Sequence, residues 1–225
     1  MTRRWEAALA GICLAVAGLV GLALVWAQPG VYADIATSEG FARTTFRALD
    51  GTPPVVMELR DLVGLHESWL RYVMGKGGGP GGTTAVVFFT AAERSHMRDV
   101  RTVFIAAEIA ALVAAAILFV QVAWIRARGR VAFARLARSA AVAAGIGVAL
   151  LAAAAAVSFD ALFLAFHEVF FPQGNFLFDP ATSNLLTLYP DPYWYGVTLR
   201  IGVSFVGVCL VIAALAHATL RAGRG

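Results

Sequence analysis

Two histidines lie where long apolar stretches meet polar sequence. His96 stands in Glu93-Arg94-Ser95-His96-Met97-Arg98-Asp99-Val100, just before the apolar run 103–124. His167 stands in Phe166-His167-Glu168-Val169-Phe170-Phe171-Pro172, just after the run 140–159. The ordinary pKa of imidazole lies near neutrality, so the ring can take and return a proton under physiological conditions. Two such rings at a membrane rim suit proton transfer on a lipid-linked substrate. Carboxylates accompany both. Glu93 and Asp99 lie three residues to either side of His96, which is helical reach. Asp160 precedes His167 by two turns, and Glu168 follows it directly. An acid at the depth of Asp160 is costly in hydrocarbon, so it is expected to turn inward to a polar partner.

Other chemistries find less support. Glu93, His96, His167 and Glu168 include a Glu-x-x-His pair that could bind a metal for a membrane hydrolase, but a complete helical ligand set is missing. Gly75-Lys76-Gly77-Gly78-Gly79-Pro80-Gly81-Gly82 has the glycine of a phosphate loop without its spacing, and reads as a flexible link. Cys13 and Cys209 fall inside apolar runs and read as packing residues. His66 reads as a rim residue of an amphipathic helix and His217 as an interfacial residue. Glu108, about three turns beyond His96, is expected to pair inward, for example with Arg200.

These residues need elements to hold them, and composition says what kind. The chain is 60% hydrophobic and 14% charged, outside the range of soluble domains. Four runs reach the roughly 20 residues that span a bilayer. They are expected at about 5–27, 102–125, 140–166 and 195–220. The first is too long for a cleaved signal core. Arg3 and Arg4, the loop with Arg126, Arg128, Arg130, Arg135 and Arg138, and Arg221 with Arg224 are nearly free of acids. Positive charge favours the cytoplasmic side, so both termini are expected there, in the inner membrane of a bacterium. The basic balance therefore reports topology and membrane lipid, and gives no support to a nucleic-acid partner. The expected fold is an all-α polytopic membrane protein, a single membrane domain over 1–225 with four transmembrane helices. A small extracytoplasmic cap covers 28–100, and an aromatic outer loop covers 166–194.

Within the cap, Gln28-Pro29-Gly30 breaks the first helix, and 55–74 reads as an amphipathic helix able to lie on a membrane. Thr90 to Glu93 is a capping box that starts the second long helix early, so His96 lies near its positive end. The same dipole argument places His167 near a helix C-terminus. His96 is then expected to be the neutral base and His167, its pKa raised, the protonated donor, with Asp160 or Glu168 orienting it. Phe170, Phe171, Phe176, Phe178, Tyr189, Tyr193 and Trp194 make the outer loop too apolar for water. It is expected to fold back as a lid.

The block around His96, the block Phe166 to Pro180, and Leu188-Tyr189-Pro190 together resemble the signature of the bacterial lipoprotein intramolecular transacylases, a family of four-span proteins with an extracytoplasmic cap. Two positions depart from the pattern: Phe176 stands where Trp is expected, and Asn184 where an acid is expected. The resemblance implies that His96 and His167 are catalytic, with Glu93, Arg98, Asp99, Asp160, Glu168, Phe170, Phe171, Asn175, Tyr189 and Trp194 supporting them or positioning substrate. It implies a diacylated lipoprotein as substrate and an acyl shift from the sn-2 ester to the cysteine α-amine. Ester to amide is downhill, so no metal, nucleotide or other cofactor is called for. The oxyanion donors are expected from the Gly174-Asn175 amides or Arg98. A non-enzymatic envelope protein that binds a partner through its cap remains the alternative beside the metal hydrolase.

Overall fold

The structure is a computed structural model, which describes residues 4–77 and 85–223. Four helices are long and apolar enough to cross a membrane: α1 (Arg4–Trp26), α5 (Ala91–Ala127), α6 (Arg130–Val157) and α9 (Asp191–Ala222). Between α1 and α5 come α2 (Pro29–Ser38), β1 (Arg43–Phe46), β2 (Val55–Glu58), α3 (Leu59–Val73) and the single turn α4 (Ala85–Phe88). Between α6 and α9 come α7 (Phe159–Phe170) and α8 (Asn184–Leu188). The fold is the all-α polytopic membrane architecture. The chain divides into two compact units, one of residues 1–25, 107–157 and 198–225, the other of 26–106 and 158–197.

The first unit holds the apolar helices. Leu112, Phe119, Leu150 and Leu210 expose between 65% and 74% of their surface, as lipid-facing side chains do. Inside, small residues let backbones approach. A Cβ on Gly145 would come within 3.0 Å of the Cys209 Cβ, and one on Gly11 within 3.3 Å of the Ala140 carbonyl. Cys13 and Cys209 are buried free thiols, and Cys209 packs with Ala141, Ala144, Val148 and Phe205. The buried Glu6 receives Arg128 Nη1 at 3.1 Å, and the Arg128 guanidinium lies 3.4 Å over the Trp124 ring.

In the second unit, Pro29 breaks away from α1 and opens α2 at its first turn, where a missing N–H costs nothing. The expected 55–74 helix is shorter than its apolar pattern. Residues 55–58 pair as β2 antiparallel to β1, with Val55 opposite Phe46 and Glu58 opposite Arg43. Two β-branched valines after Pro53-Pro54 favour the extended backbone, and Asp61 then accepts from the Glu58 N–H to start α3. Leu62, Leu65, His66, Trp69, Leu70 and Val73 form the buried face of α3. The glycine-rich link passes out of the described residues after Gly77, and Arg3 and Arg224 lie outside them as well.

The third expected span also differs. Instead of one helix over 140–166, Ser158 adopts φ −150° and ψ 73° and separates α6 from α7. Asp160 falls in the first turn of α7, where the helix dipole favours a carboxylate. α5 begins after Thr90, and its first three turns carry Glu93, Arg94, Arg98, Asp99 and Arg101 before the apolar stretch 103–124. His96 therefore precedes the membrane-crossing part of its helix.

Candidate active site

The start of α5 sets the position of His96. Thr90 N–H donates to Glu93 Oε2 at 2.7 Å, and Glu93 N–H donates to Thr90 Oγ1 at 3.2 Å, closing the capping box. Glu93 is 1% exposed, and its other oxygen accepts Ser183 Oγ–H at 2.6 Å and Leu185 N–H at 2.9 Å. One carboxylate thus starts the helix and fastens the loop that leads into α8. His96 follows one turn later and is 6% exposed.

α7 presents His167 to it. The two imidazoles lie near-parallel, with centroids 6.0 Å apart and planes 22° apart. Phe171, buried just past the end of α7, contacts both, at 4.7 Å from His96 and 5.4 Å from His167. Phe178 closes on His96 at 5.7 Å, and Phe163 and Phe176 close on His167 at 4.3 and 5.1 Å. The loop aromatics expected to form a lid therefore wall this pair.

A hydrogen bond fixes which nitrogen of His167 carries the proton. His167 Nδ1 meets the Phe163 carbonyl at 2.8 Å. A carbonyl only accepts, so Nδ1 is the donor and Nε2 keeps its lone pair in the neutral ring. His96 Nδ1 is buried without a hydrogen-bond partner among the described residues. The Asn175 side chain hydrogen-bonds the His96 ring in a way that favours its protonated form. Burial pushes His96 down from 6.5 to about 4, and His167 pushes it the same way, while the Asn175 bond and the Asp99 charge oppose them. Burial also lowers His167, against the bond to Phe163. The expected rise at His167 is thus corrected: desolvation outweighs the helix end. Burial thus favours the neutral form of both rings, and His167 keeps an open acceptor at Nε2.

Asp99 works on the same site through the loop. Its Oδ2 accepts Asn175 Nδ2 at 2.5 Å and Gln173 Nε2 at 3.0 Å. Gln173 was missed at the sequence level; it precedes Asn175 by two residues and shares its acceptor. Asp160 and Glu168 are exposed, so neither turns inward to orient His167; the Phe163 carbonyl does that instead. Arg98 and Phe170 are exposed too. Gly174 N–H is already given to the Phe171 carbonyl at 3.0 Å, which removes it as an oxyanion donor. Among the described residues, no three His, Cys, Asp or Glu side chains come together as a metal set. Glu93, one member of the set considered, has both oxygens on the cap and the loop.

Tyr189 and Trp194 belong to a neighbouring cluster. His66, expected at a rim, is 2% exposed and lies at its centre. The helical pattern could not reveal this, because its partners come from distant segments. Trp194 touches Phe163 at 5.8 Å and Tyr189 at 5.6 Å. Asn184, where the family pattern has an acid, donates from Nδ2 to the carbonyls of Arg47 at 2.7 Å and Phe88 at 2.6 Å, and accepts from Arg47 N–H at 3.0 Å. An amide makes all three bonds; a carboxylate could not donate.

Residues 33–194 match the family model of the lipoprotein intramolecular transacylase Lit. A solved structure of the membrane integral lipoprotein intramolecular transacylase Lit from Bacillus cereus is similar over 98% of this chain and 97% of its own, with TM-score 0.71 and 14% identity. Two histidine variants of that protein, one to arginine and one to alanine, cover 93% and 94% of their chains with TM-score 0.73 and 14% identity. No curated protein sequence matches the chain.

Proposed function

The chain belongs to the lipoprotein intramolecular transacylase family, and on that premise we propose that it moves the sn-2 acyl chain of a diacylglyceryl lipoprotein onto the α-amine of that lipoprotein's N-terminal cysteine, with His96 and His167 handling the proton. The observation that carries this reading is the near-parallel pair of imidazoles in one aromatic-walled site, with His96 Nδ1 buried without a hydrogen-bond partner among the described residues and His167 Nε2 left as the acceptor of its ring.

An α-amine has an ordinary pKa of roughly 7.7–8.0, so it arrives largely as an ammonium. A neutral ring whose open nitrogen is an acceptor, as in His167, suits an ammonium better than it suits an ester oxygen. After one proton leaves for solvent, the amine nitrogen attacks the sn-2 carbonyl carbon and an N–C bond forms. The nitrogen then carries an extra proton. His167, the less buried ring and the one set by the Phe163 carbonyl, takes it on Nε2. The C–O bond breaks and His167 returns the proton to the glyceryl oxygen. The products are an N-acyl cysteine and a lyso-glyceryl group, and the enzyme ends as it began. His96 accepts a hydrogen bond from the amine and aims its lone pair at the ester. This gives His167 both proton steps and His96 the holding of the amine, where helix-end arguments alone made His96 the base and His167 the donor.

Asp99, Asn175 and Glu93 support the pair from outside. Phe171 and the loop aromatics hold amine and ester together, which removes entropy from the encounter and can be worth several kcal/mol. The single membrane domain has both termini in the cytoplasm, and the second unit, formed by the cap and aromatic loop, faces the outer leaflet, where diacylated lipoproteins are displayed. The distribution of arginine supports that orientation.

The test is expression in a host that lacks N-acylation. Mass spectrometry of a reporter lipoprotein's N-terminal peptide is expected to give the N-acyl lyso form. An unchanged diacyl form with a free amine would overturn the reading.

A further inference from the structure

His66 has both ring nitrogens committed. Nε2 meets the Ala27 carbonyl at 2.9 Å, and Nδ1 meets the Tyr189 hydroxyl at 3.1 Å. The carbonyl only accepts, so Nε2 carries the proton and Nδ1 accepts from Tyr189 O–H. Only the neutral ring in this tautomer satisfies both partners. Tyr32 stacks on it, with centroids 4.6 Å apart and planes at 14°, and sends its own hydroxyl to the Leu188 carbonyl at 2.9 Å. His66 thus ties together the chain leaving α1, the buried face of α3 and the Leu188-Tyr189 corner that leads into α9. From Tyr189 the contacts run to Trp194 at 5.6 Å, from Trp194 to Phe163 at 5.8 Å, and from Phe163 to His167, both ring to ring at 4.3 Å and through the Phe163 carbonyl.

We propose that His66 is a positioning residue for the acyl transfer. It acts through Tyr189, Trp194 and Phe163 to set the orientation of His167, without touching substrate. This rests on the transacylase reading above. The aromatic contacts give His167 a fixed neighbour in Phe163, and the Tyr189 hydroxyl bond keeps that neighbour from sliding. Losing the bond frees the corner by a fraction of an ångström to an ångström, and such displacements cost about 10- to 100-fold in rate. The Tyr189 hydroxyl is turned to His66, so removing it is expected to leave KM unaffected.

The experiment is a double-mutant cycle of Tyr189→Phe, which removes one hydroxyl, and His66→Phe, which keeps the ring but loses both hydrogen bonds. Purified protein in lipid nanodiscs is assayed on a synthetic diacyl lipopeptide. Each variant is expected to lower kcat about tenfold or more at unchanged KM, with the pair no worse than His66→Phe alone. His66→Asn, which restores an acceptor near the Nδ1 position, should recover part of the loss. Wild-type kcat in Tyr189→Phe, additive losses, or a rise in KM alone would each overturn the proposal. Should His66→Phe fail to fold, Tyr189→Phe with His66→Asn decides it by the same kcat and KM readings. A wild-type protein inactive on the lipopeptide sinks the transacylase reading instead, so the two failures are distinct.

Discussion

Ser183 donates its hydroxyl to the carboxylate of Glu93 at 2.6 Å, across 90 residues of sequence, and that same carboxylate caps the helix that carries His96. The loop that walls the histidines and the helix that presents one of them therefore share an anchor. Moving either moves both.

Glu93→Gln tests the anchor. The carboxylate takes donors from Thr90, Ser183 and Leu185, and an amide can replace only part of that set while turning its own N–H groups toward donors. Stranding buried donors costs about 1–3 kcal/mol each. The variant is expected to unfold at lower temperature in detergent by an amount matching about 2–4 kcal/mol, with transacylation reduced along with it. An unchanged melting temperature would show that the anchor carries no load.

His96→Ala and His167→Ala separate chemistry from folding. Each should lower lyso-lipoprotein formation by about 10²–10⁴, the usual range for a lost acid–base group, with normal yield and dispersity in detergent. Because His167 is given the proton in transit, its loss should be the larger. Full activity in either variant ends the two-histidine mechanism.

Acid should loosen this site, and the sign follows from burial. His96 is lowered from 6.5 to about 4, and His66 and His167 are lowered too, so the unfolded chain takes up protons before the folded one as pH falls. The stability these rings contribute is complete above about 6.5 and is lost on the way down toward 4. Thermal unfolding across that window should show a falling midpoint, and nitrogen-15 spectra at pH 6 should show the His96 ring still neutral.

Asp99→Asn probes the link through Asn175. Both the Asp99 charge and the Asn175 bond hold the His96 pKa up. Removing the charge and leaving two amides face to face should move the His96 titration lower still. Transfer should slow by about tenfold as Asn175 loses its fixed orientation. A His96 titration that rises, or does not move, would contradict the influence assigned to the Asp99 charge.

How much of this was legible in the sequence depended on how local the cause was. The spans were legible because twenty apolar residues in a row have few other uses, and the start of α5 because Thr90 and Glu93 form their cap within one turn. The break at Ser158 was not, since 152–166 is almost uniformly apolar and carries no Gly or Pro to mark it. β2 was hidden because four residues of Val-Val-Met-Glu fit a helix face as well as a strand. Asp160 was expected inward from its depth alone, yet in the first turn of α7 the dipole offers it a place at the surface. His167 was expected to titrate high from its helix end, a local argument that burial by distant aromatics reverses. His66 was read from its own helix, whereas what defines it is a carbonyl at Ala27 and a hydroxyl at Tyr189.

α5 runs unbroken from Ala91 to Ala127, 37 residues in one rod. At about 1.5 Å per residue, His96 rides roughly 10 Å beyond the point where the apolar stretch 103–124 begins. The rod cannot shorten, so a thinner or thicker bilayer is met by tilt or by local bending of the lipid. The height of the imidazole above the acyl chains is thereby written into helix length. Bilayer thickness, acting through tilt, is then expected to set the depth at which that ring stands.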